Sequence, residues 1–280
     1  MRAFRVAYDG RPYRGFQRQP SVPTVEDAVF DALRDLDVLA GDASKPDGYA
    51  AAGRTDAGVS AVAQTVAFEC PNWLTPRAFN GELPEHVRAW ASADVDDGFH
   101  ATHDATSRAY DYHLYAPDAD VDRANAALAR IEGRQDFADL TAASDADTTR
   151  TITEASTTRD GDVLRVHVRA DGFLWELVRR LVSLVHAVAT GDCPLAAVDR
   201  ALAPERLPDH ERVGPAPPGP LVLADVTYPS VAFERDPEAA SSAAAVFEAA
   251  HGDAVARSRV TATLHDAVID ADVRERDGTR

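Results

Sequence analysis

Cysteine is nearly absent from this chain. The 280 residues include only Cys70 and Cys193, which lie far apart and form neither a CxxC pair nor a cluster with histidine. A disulfide framework needs more cysteines, and a structural zinc site needs cysteine and histidine at short spacings. The composition therefore argues against both classes and indicates a reducing compartment.

Long apolar runs are also missing. The most apolar stretch, residues 173–188, is interrupted by Glu176, Arg179, Arg180 and His186, so it is too short and too charged to span a bilayer. The first ten residues, MRAFRVAYDG, lack the apolar segment of a signal peptide and alternate as a strand does. We therefore expect a cytoplasmic protein that does not contact a membrane.

Lysine is almost absent, because arginine supplies every base except Lys45. The 46 acids outnumber the 29 bases and give a net charge of −17, so any nucleic-acid site must be local. Short carboxylates hold water and cations, whereas the apolar stem of lysine adds surface that concentrated salt disfavours. The composition predicts a salt-rich cytoplasm. A genome rich in G and C is the alternative explanation.

The usual cofactor signatures are missing too. The sequence contains no Walker A motif, no GxGxxG after a strand, no HExxH and no GxSxG. The segment FHATHD offers His100, His103 and Asp104 as metal ligands, but no further cluster at ligand spacing accompanies them. A metal-dependent hydrolase built on these residues is thus the weaker alternative, and we expect no metal and no cofactor.

Hydrophobic periodicity predicts an α+β fold. Strand-like alternation covers residues 4–8, 62–68, 110–114 and 163–169, and helical spacing covers 25–36, 122–131 and a stretch from about 173 to 191. Thr24 and Asp27 resemble a capping box, and Gly191 suits a helix C-terminus. This order indicates two similar α+β halves that meet around a sheet, rather than a doubly wound parallel fold.

The first 20 residues form a local positive island. They carry five arginines and the single acid Asp9, and Tyr8, Tyr13 and Phe16 lie between the arginines. Arginines and aromatics in a turn-rich loop grip phosphates and stack on bases in RNA-binding proteins. RNA contact by Arg11, Arg14 and Arg18 is one hypothesis, and a solvated loop whose arginines pair with nearby acids is the other.

The segment AAGRTDAGVSA, residues 51–61, is the sharpest local feature. Gly53 and Gly58 bracket Arg54, Thr55 and Asp56 in a tight turn just ahead of a predicted strand. An aspartate that an arginine keeps ionised and fixed in direction suits a nucleophile or a base. An aspartate that only stabilises its own turn is the alternative.

This segment resembles the hallmark GRTDxGVHA of the tRNA pseudouridine synthase A family (TruA). Further matches follow in the family's order: YDGRPYRGFQRQ, NGELPEHV, FHA, SRAYDYHLY, GRQDF, DGFLWELVRRLV and APPGPLVL. The matching blocks run from Tyr8 to Tyr228, about four fifths of the chain, and together with the salt signature they suggest a haloarchaeal member.

The resemblance implies an activity and residue roles. The family isomerises uridine to pseudouridine in tRNA without a cofactor, and the aspartate of its motif, here Asp56, is catalytic. Tyr110 is expected to stack on the flipped uracil, and Arg54 is expected to help displace the target nucleotide. Arg179 is expected to form an ion pair with Asp56. For the whole protein, a non-catalytic tRNA-binding paralogue is the main alternative. For Arg179, the alternative is a snorkelling helix residue, whose guanidinium only reaches solvent.

The resemblance also implies an architecture and a substrate site. Family members fold as two halves that share a mainly antiparallel sheet flanked by helices, with the active-site cleft between them. They act as homodimers on tRNA positions 38 to 40, and archaeal members favour 38 and 39. We therefore divide the chain into an N-terminal half at 1–105, a C-terminal half at 106–229 and an acidic, alanine-rich tail at 230–280.

Three positions depart from the family pattern. Ser60 replaces the histidine of GVHA, Thr102 replaces the arginine of FHAR, and Leu177 replaces the methionine of MVR. The last change conserves volume and is expected to be neutral. Without an arginine at 102, and with counterion release weak in concentrated salt, we expect tRNA affinity to rest on stacking and direct hydrogen bonds.

The charge imbalance predicts that salt stabilises the fold. Raising potassium chloride from 0.1 M to 2 M should raise the melting temperature, because the Debye length falls to about 3 Å near 1 M and self-repulsion is screened. Thermal unfolding followed by circular dichroism checks this. Unfolding on approach to molar salt would contradict the salt-rich cytoplasm and leave genome composition as the explanation.

Overall fold

The computed structural model describes residues 1–142 and 147–277, with only the backbone for 270–277. The last three residues of the tail predicted at 230–280 therefore lie outside the described residues. Within the described part of the chain, no helix is long and apolar enough to cross a membrane.

The first part of the chain supplies four strands and two helices. The strands are β1 (Arg2–Tyr8), β2 (Ala50–Ala51), β3 (Ser60–Phe68) and β4 (Val87–Asp94). The helices are α1 (Val25–Asp35) and α2 (Pro76–Phe79). Phe4, Phe68 and Phe79 are fully buried, and their rings pack together beneath the sheet.

The described residues of the next part of the chain, up to Tyr228, supply five strands and three α-helices. The strands are β5 (Ser107–Tyr115), β6 (Gly133–Asp136), β7 (Thr149–Asp160), β8 (Val163–Ala170) and β9 (Leu221–Thr227). The helices are α3 (Val121–Ile131), α4 (Leu177–Thr190) and α5 (Ala196–Ala201), with short 3-10 helices at Ala138–Leu140 and Asp209–Glu211. A second buried cluster lies between these helices and the strands.

Two elements follow, β10 (Glu234–Arg235) and α6 (Pro237–Asp277). One continuous sheet results, in the order β10-β4-β1-β3-β9-β5-β8-β7-β6, with β2 paired to β3. Every described strand pair is antiparallel except β3 and β9, which pair in parallel. The predicted α+β class with a mainly antiparallel sheet is confirmed.

Arg5 joins the two parts of the sheet from inside the protein. Its buried guanidinium donates to the Ala63 carbonyl on β3 at 3.0 Å and to the Val226 carbonyl on β9 at 2.5 Å. The guanidinium carbon also lies 4.3 Å from the centroid of the Phe233 ring. Arg5 therefore satisfies backbone groups on two strands that come from distant parts of the sequence.

Local signals for the helix ends are mostly confirmed. The Thr24 hydroxyl accepts a hydrogen bond from the Asp27 backbone N–H, and Gly191 ends α4 in the left-handed conformation. The predicted start of that helix near Phe173 is wrong, because α4 begins at Leu177. Glu176 has a φ of 61°, and this left-handed residue separates the preceding segment from the helix.

The tail helix α6 is docked only at its beginning. Ala239, Ala240 and Ala243 are buried, and this end of the helix packs against β4. From His251 to Ile269 every side chain is exposed. Val246 and Phe247, just before this exposed stretch, are half-buried. The division at residues 105 and 229 stays a proposal, which the two separate buried clusters support.

The position of Arg5 predicts a large stability cost on truncation. Arg5→Ala should lower the free energy of unfolding by about 2 kcal/mol, because it leaves buried carbonyl acceptors unsatisfied. Arg77→Ala is the control: its ion pair with Glu238 is exposed on both sides and should change stability by about 0.5 kcal/mol or less. Urea denaturation checks both variants. Equal losses would show that Arg5 does not join the strands.

Candidate active site

Asp56 lies in the loop between β2 and β3. Gly58 has a φ of 82°, a conformation that favours glycine, and the Val59 backbone N–H donates to the Asp56 carbonyl at 3.1 Å. The Gly58 N–H donates to the carbonyl of Tyr13 at 3.2 Å. Gly58 thus forms a tight turn directly after Asp56, at one end of the segment predicted as a turn between Gly53 and Gly58, and this turn is tied to the N-terminal segment.

The N-terminal segment supports this turn from behind. The Tyr8 and Thr55 hydroxyls share a hydrogen bond of 2.7 Å, and the Phe16 N–H donates to the Thr55 carbonyl at 3.0 Å. Burial raises the pKa of Tyr8, so its phenol stays neutral. A Cβ added to Gly10 would lie 1.9 Å from the Val59 carbonyl oxygen, so only glycine allows this approach. The backbone around Asp56 is therefore fixed by packing and hydrogen bonds.

Arg179 on α4 reaches Asp56 from the other half of the chain. Its Nη1 lies 3.1 Å from Asp56 Oδ2, so the ion pair expected from the resemblance is present. The Arg179 Nε donates to the Ala216 carbonyl at 2.6 Å, and Nη1 lies 3.7 Å from Glu176 Oε1. The side chains of Arg179 and Asp56 are 13% and 24% exposed. The pair is therefore largely shielded from water, while the carboxylate still faces the cleft.

Tyr110 on β5 lines the same cleft. Its half-buried ring packs edge-on against Phe173, with centroids 5.0 Å apart and an interplanar angle of 87°. Burial raises the pKa of Tyr110 to about 12, with Arg108 opposing the shift and Asp56 adding to it. The ring is therefore a neutral aromatic surface at physiological pH, which suits stacking.

The predicted arginines differ in their surroundings. Arg54 and Arg14 are exposed and line the cleft, and neither side chain has a hydrogen-bond or ion-pair partner among the described residues. Arg18 also lines the cleft, but it pairs with Asp27 at 2.8 Å. Arg11 lies outside the cleft lining and pairs with Asp9 at 2.6 Å. Arg14 and Arg54 are thus the predicted arginines left free for a ligand.

Several cleft residues were not predicted. Arg108 donates to the Ala52 and Thr102 carbonyls at 2.7 and 2.8 Å and so holds the Asp56 loop against β5. Its place in the matched SRAYDYHLY block was the available signal. Lys45, the sole lysine, and Arg150 also line the cleft, although no local pattern marks either.

The three residues that depart from the family pattern lie in different local environments. The Ser60 hydroxyl accepts from the Gly10 N–H at 3.1 Å, so it helps to fix the Asp56 turn. The Thr102 hydroxyl donates to the Ala51 carbonyl at 2.5 Å, near the cleft. Leu177 is fully buried in the core, in keeping with a neutral change.

The charge of the cleft is opposite to that of the chain. The open cleft has a volume of about 1620 Å³ and is lined from both halves. Its lining has seven basic and three acidic side chains: Arg14, Arg18, Lys45, Arg54, Arg108, Arg150 and Arg179, against Glu26, Asp56 and Glu176. A positive cleft in a chain of net charge −17 concentrates anionic ligands locally.

The side chains of His100 and Asp104 in the FHATHD segment form hydrogen bonds within the segment itself. The rings of His100 and His103 lie 4.1 Å apart, and the His100 Nδ1 accepts from the backbone N–H groups of Thr102 and His103. Asp104 accepts from the His100 N–H at 2.8 Å. Over residues 1–142 and 147–277, no group of three or more His, Cys, Asp or Glu side chains is placed to hold a metal ion.

Comparisons with known proteins give one consistent family. A family model described as tRNA pseudouridine synthase matches residues 127–229. The chain is 56% identical over 266 residues to "tRNA pseudouridine synthase A" of Natronomonas pharaonis, covering 94% of this chain and 98% of the relative. It is 53% identical over 280 residues to the protein of that name from Haloarcula marismortui, covering 96% and 99%. Both are haloarchaea.

A more distant relative and a solved structure complete the comparison. "tRNA pseudouridine synthase A" of Methanocella arvoryzae is 38% identical over 237 residues, covering 84% of this chain and 86% of the relative. A chain from the "Crystal Structure of a Cbf5-Nop10-Gar1 Complex" overlaps 66% of this chain and 44% of its own length, at 14% identity and a TM-score of 0.37. That structural similarity is too low to support an inference.

The close approach at Gly10 predicts a severe effect of one methyl group. Gly10→Ala should lower the free energy of unfolding by about 2–3 kcal/mol, because the new Cβ must push the Val59 backbone away. Gly98→Ala is the control, since its Cβ would meet nothing within 4 Å, and it should change stability by about 0.5 kcal/mol or less. Thermal denaturation of both variants checks this, and a stable Gly10→Ala protein would show that the turn is not clamped.

Proposed function

The chain belongs to the tRNA pseudouridine synthase A family, whose members isomerise uridine to pseudouridine, and we propose that it performs this reaction on tRNA with Asp56 as its nucleophile. One observation carries the assignment of the site. Asp56 is held by Arg179 at 3.1 Å in a positive cleft, which the Tyr110 ring also lines.

The geometry suits a carboxylate that acts without a cofactor. Arg179 holds Oδ2, and among the described residues Oδ1 has no hydrogen-bond partner. In one route Oδ1 bonds to C1′ as the C1′–N1 bond breaks and its electron pair leaves with the uracil. In the other route the carboxylate removes a ribose proton as the C1′–N1 bond breaks, which gives a glycal. In both routes C5 then bonds to C1′, C5 loses its proton and N1 gains one. The Oδ1–C1′ bond breaks at this step in the first route, and its electron pair returns to the carboxylate. In the second route the ribose carbon regains its proton.

Two other residues act on the target nucleotide in this proposal. Tyr110 stacks on the detached uracil, and a stacking contact without directional hydrogen bonds lets the base turn. Arg54 occupies the space that the flipped nucleotide leaves. Its side chain is available for this role, since it is exposed in the cleft and has no partner among the described residues. The unpaired Arg14 contacts the RNA backbone, with Arg18 beside it and Arg11 at the periphery.

Three finer assignments rest on the family resemblance. We propose the anticodon stem-loop as the target, at positions 38 to 40 and mainly at 38 and 39. We propose a homodimer that holds one tRNA across both subunits, located in the cytoplasm with its substrate. No metal is needed in this scheme.

The decisive experiment is tritium release from transcript tRNA that carries uridine labelled at C5. In molar potassium chloride the wild type should release tritium and Asp56→Ala should release none, because C5 loses its hydrogen only if the glycosidic bond is remade. The isosteric Asp56→Asn variant is the matched control for shape and should also be inactive. Binding without release by the wild type would favour the non-catalytic tRNA-binding paralogue.

The same assay distinguishes the synthase from the alternative of a metal-dependent hydrolase. Release should be unchanged in EDTA, because the proposed chemistry uses only side chains. Metal-dependent hydrolysis of the RNA in place of tritium release would instead favour a hydrolase built on His100 and His103. Mapping the modified uridine in the product then tests the assignment to positions 38 and 39.

Lys45 and Arg14, which are unpaired among the described residues, should contribute to the salt dependence of tRNA binding. Lys45→Ala and Arg14→Ala should each reduce the slope of log K against log salt for tRNA binding by about 1, because each removes one phosphate contact. Arg235→Ala, an exposed cation on β10 outside the cleft lining, is the control and should leave the slope unchanged. Titrations at several potassium chloride concentrations check this. Equal slopes in all variants would exclude phosphate contacts by Lys45 and Arg14.

A further inference from the structure

Trp175 exposes a large aromatic surface inside the cleft. Its side chain is 59% exposed, and it is the only exposed large hydrophobic residue in the described part of the chain that also lines the cleft. The indole of Trp90, by contrast, donates to the Val62 carbonyl at 2.8 Å, whereas the Trp175 indole has no such partner among the described residues. An exposed aromatic ring that lines a positively charged cleft offers a stacking surface to a ligand.

The backbone at Trp175 is held firmly. The Trp175 carbonyl accepts from the Thr141 hydroxyl at 2.8 Å and from the Ala142 N–H at 3.2 Å. Leu174 before it and Leu177 after it are buried. The indole is therefore exposed from an ordered segment and not from a loose one.

The next residue adds strain at this point. Glu176 is a non-glycine residue with a φ of 61°, and its carboxylate binds Arg180 at 2.8 Å. Left-handed backbone at a non-glycine residue is costly and tends to occur at functional sites. Trp175 and Glu176 lie in the turn before α4, which the Leu177 N–H closes by donating to the Leu174 carbonyl at 3.1 Å.

The neighbours of Trp175 fit a nucleotide. Phe173, two residues earlier, packs against Tyr110, which is proposed to stack on the target uracil. Arg150 lines the cleft nearby, with its Nε 3.6 Å from the Cβ position of Gly172. Among the described residues its guanidinium Nη1 donates to two backbone carbonyls, those of Asp147 and Thr149, so the positive charge of Arg150 is available to a phosphate.

We propose that Trp175 is a stacking platform for an unpaired nucleobase next to the target uridine. This inference rests on the proposed function and adds a binding residue to it. A base has an apolar face that stacks on indole with little dependence on sequence. Stacking also releases few counterions, so it retains its strength in molar salt, where phosphate contacts weaken.

Affinity for an anticodon stem-loop RNA tests the platform. In 2 M potassium chloride, fluorescence anisotropy should show about 5- to 100-fold weaker binding for Trp175→Ala, in line with the loss of one stacked base. Trp175→Phe should restore most of that affinity. Trp73→Ala is the matched control, because Trp73 is 53% exposed outside the cleft, and it should bind as the wild type does. Circular dichroism confirms folding of each variant.

Abasic substitution identifies the stacked base. Single loop nucleotides next to the target are replaced by abasic ones, and one replacement should weaken binding to the wild type by the same factor as Trp175→Ala. The same abasic RNA should bind Trp175→Ala no more weakly than the unmodified RNA does, since the base substitution and the protein substitution remove the same stacking contact. Independent, multiplicative losses would overturn the proposal.

The remaining outcomes separate this inference from the proposed function. Wild type that releases tritium while Trp175→Ala binds RNA equally well would overturn the platform and leave the synthase assignment intact. Wild type that neither binds tRNA nor releases tritium would overturn both. A change of oligomeric state in Trp175→Ala, measured by light scattering, would show a contact with a second copy of the chain and overturn the platform.

Discussion

The short parallel contact between β3 and β9 is the constraint on which the site depends. Ser60 and Ala61 pair there with Val222 and Leu223, and Arg5 extends the junction from the buried side. Because β3 begins at this contact, the loop that precedes it lies against the C-terminal half. Asp56 is thus presented to Arg179 and Tyr110 by the way the sheet is joined.

Electrostatics divides the molecule into two regions. The chain carries a charge of −17, and many of its arginines outside the cleft pair with acids, yet the basic side chains in the cleft outnumber the acidic ones. A surface of this kind needs salt to screen its self-repulsion, and the same salt weakens phosphate contacts. Neutral aromatic surfaces such as Tyr110 and Trp175 keep their stacking energy under those conditions, so they complement the local positive charge.

The part of the fold that sequence predicts is the part set by local physics. Alternation at 4–8 and 163–169 predicted β1 and β8, and the Thr24 hydroxyl caps α1 through a residue three positions away. The turn after Asp56 followed from Gly58. The start of α4 was predicted wrongly because apolar spacing continues through Phe173, while the left-handed backbone of Glu176 depends on what anchors the segment on either side.

The sequence by itself determined the strands β1, β3, β5 and β8, the helices α1 and α3 and the end of α4, the acidic composition and, through its motifs, the family. Tertiary structure decided which charged groups are free: Arg11 and Arg18 pair with acids two and nine residues away, whereas Arg14 and Arg54 line the cleft unpaired among the described residues. It also brought Arg179 to Asp56 across 123 positions and placed Lys45, Arg150 and Trp175 in the same cleft. Periodicity and capping act within a few residues, but ion-pair choice and exposure depend on the path of the whole chain.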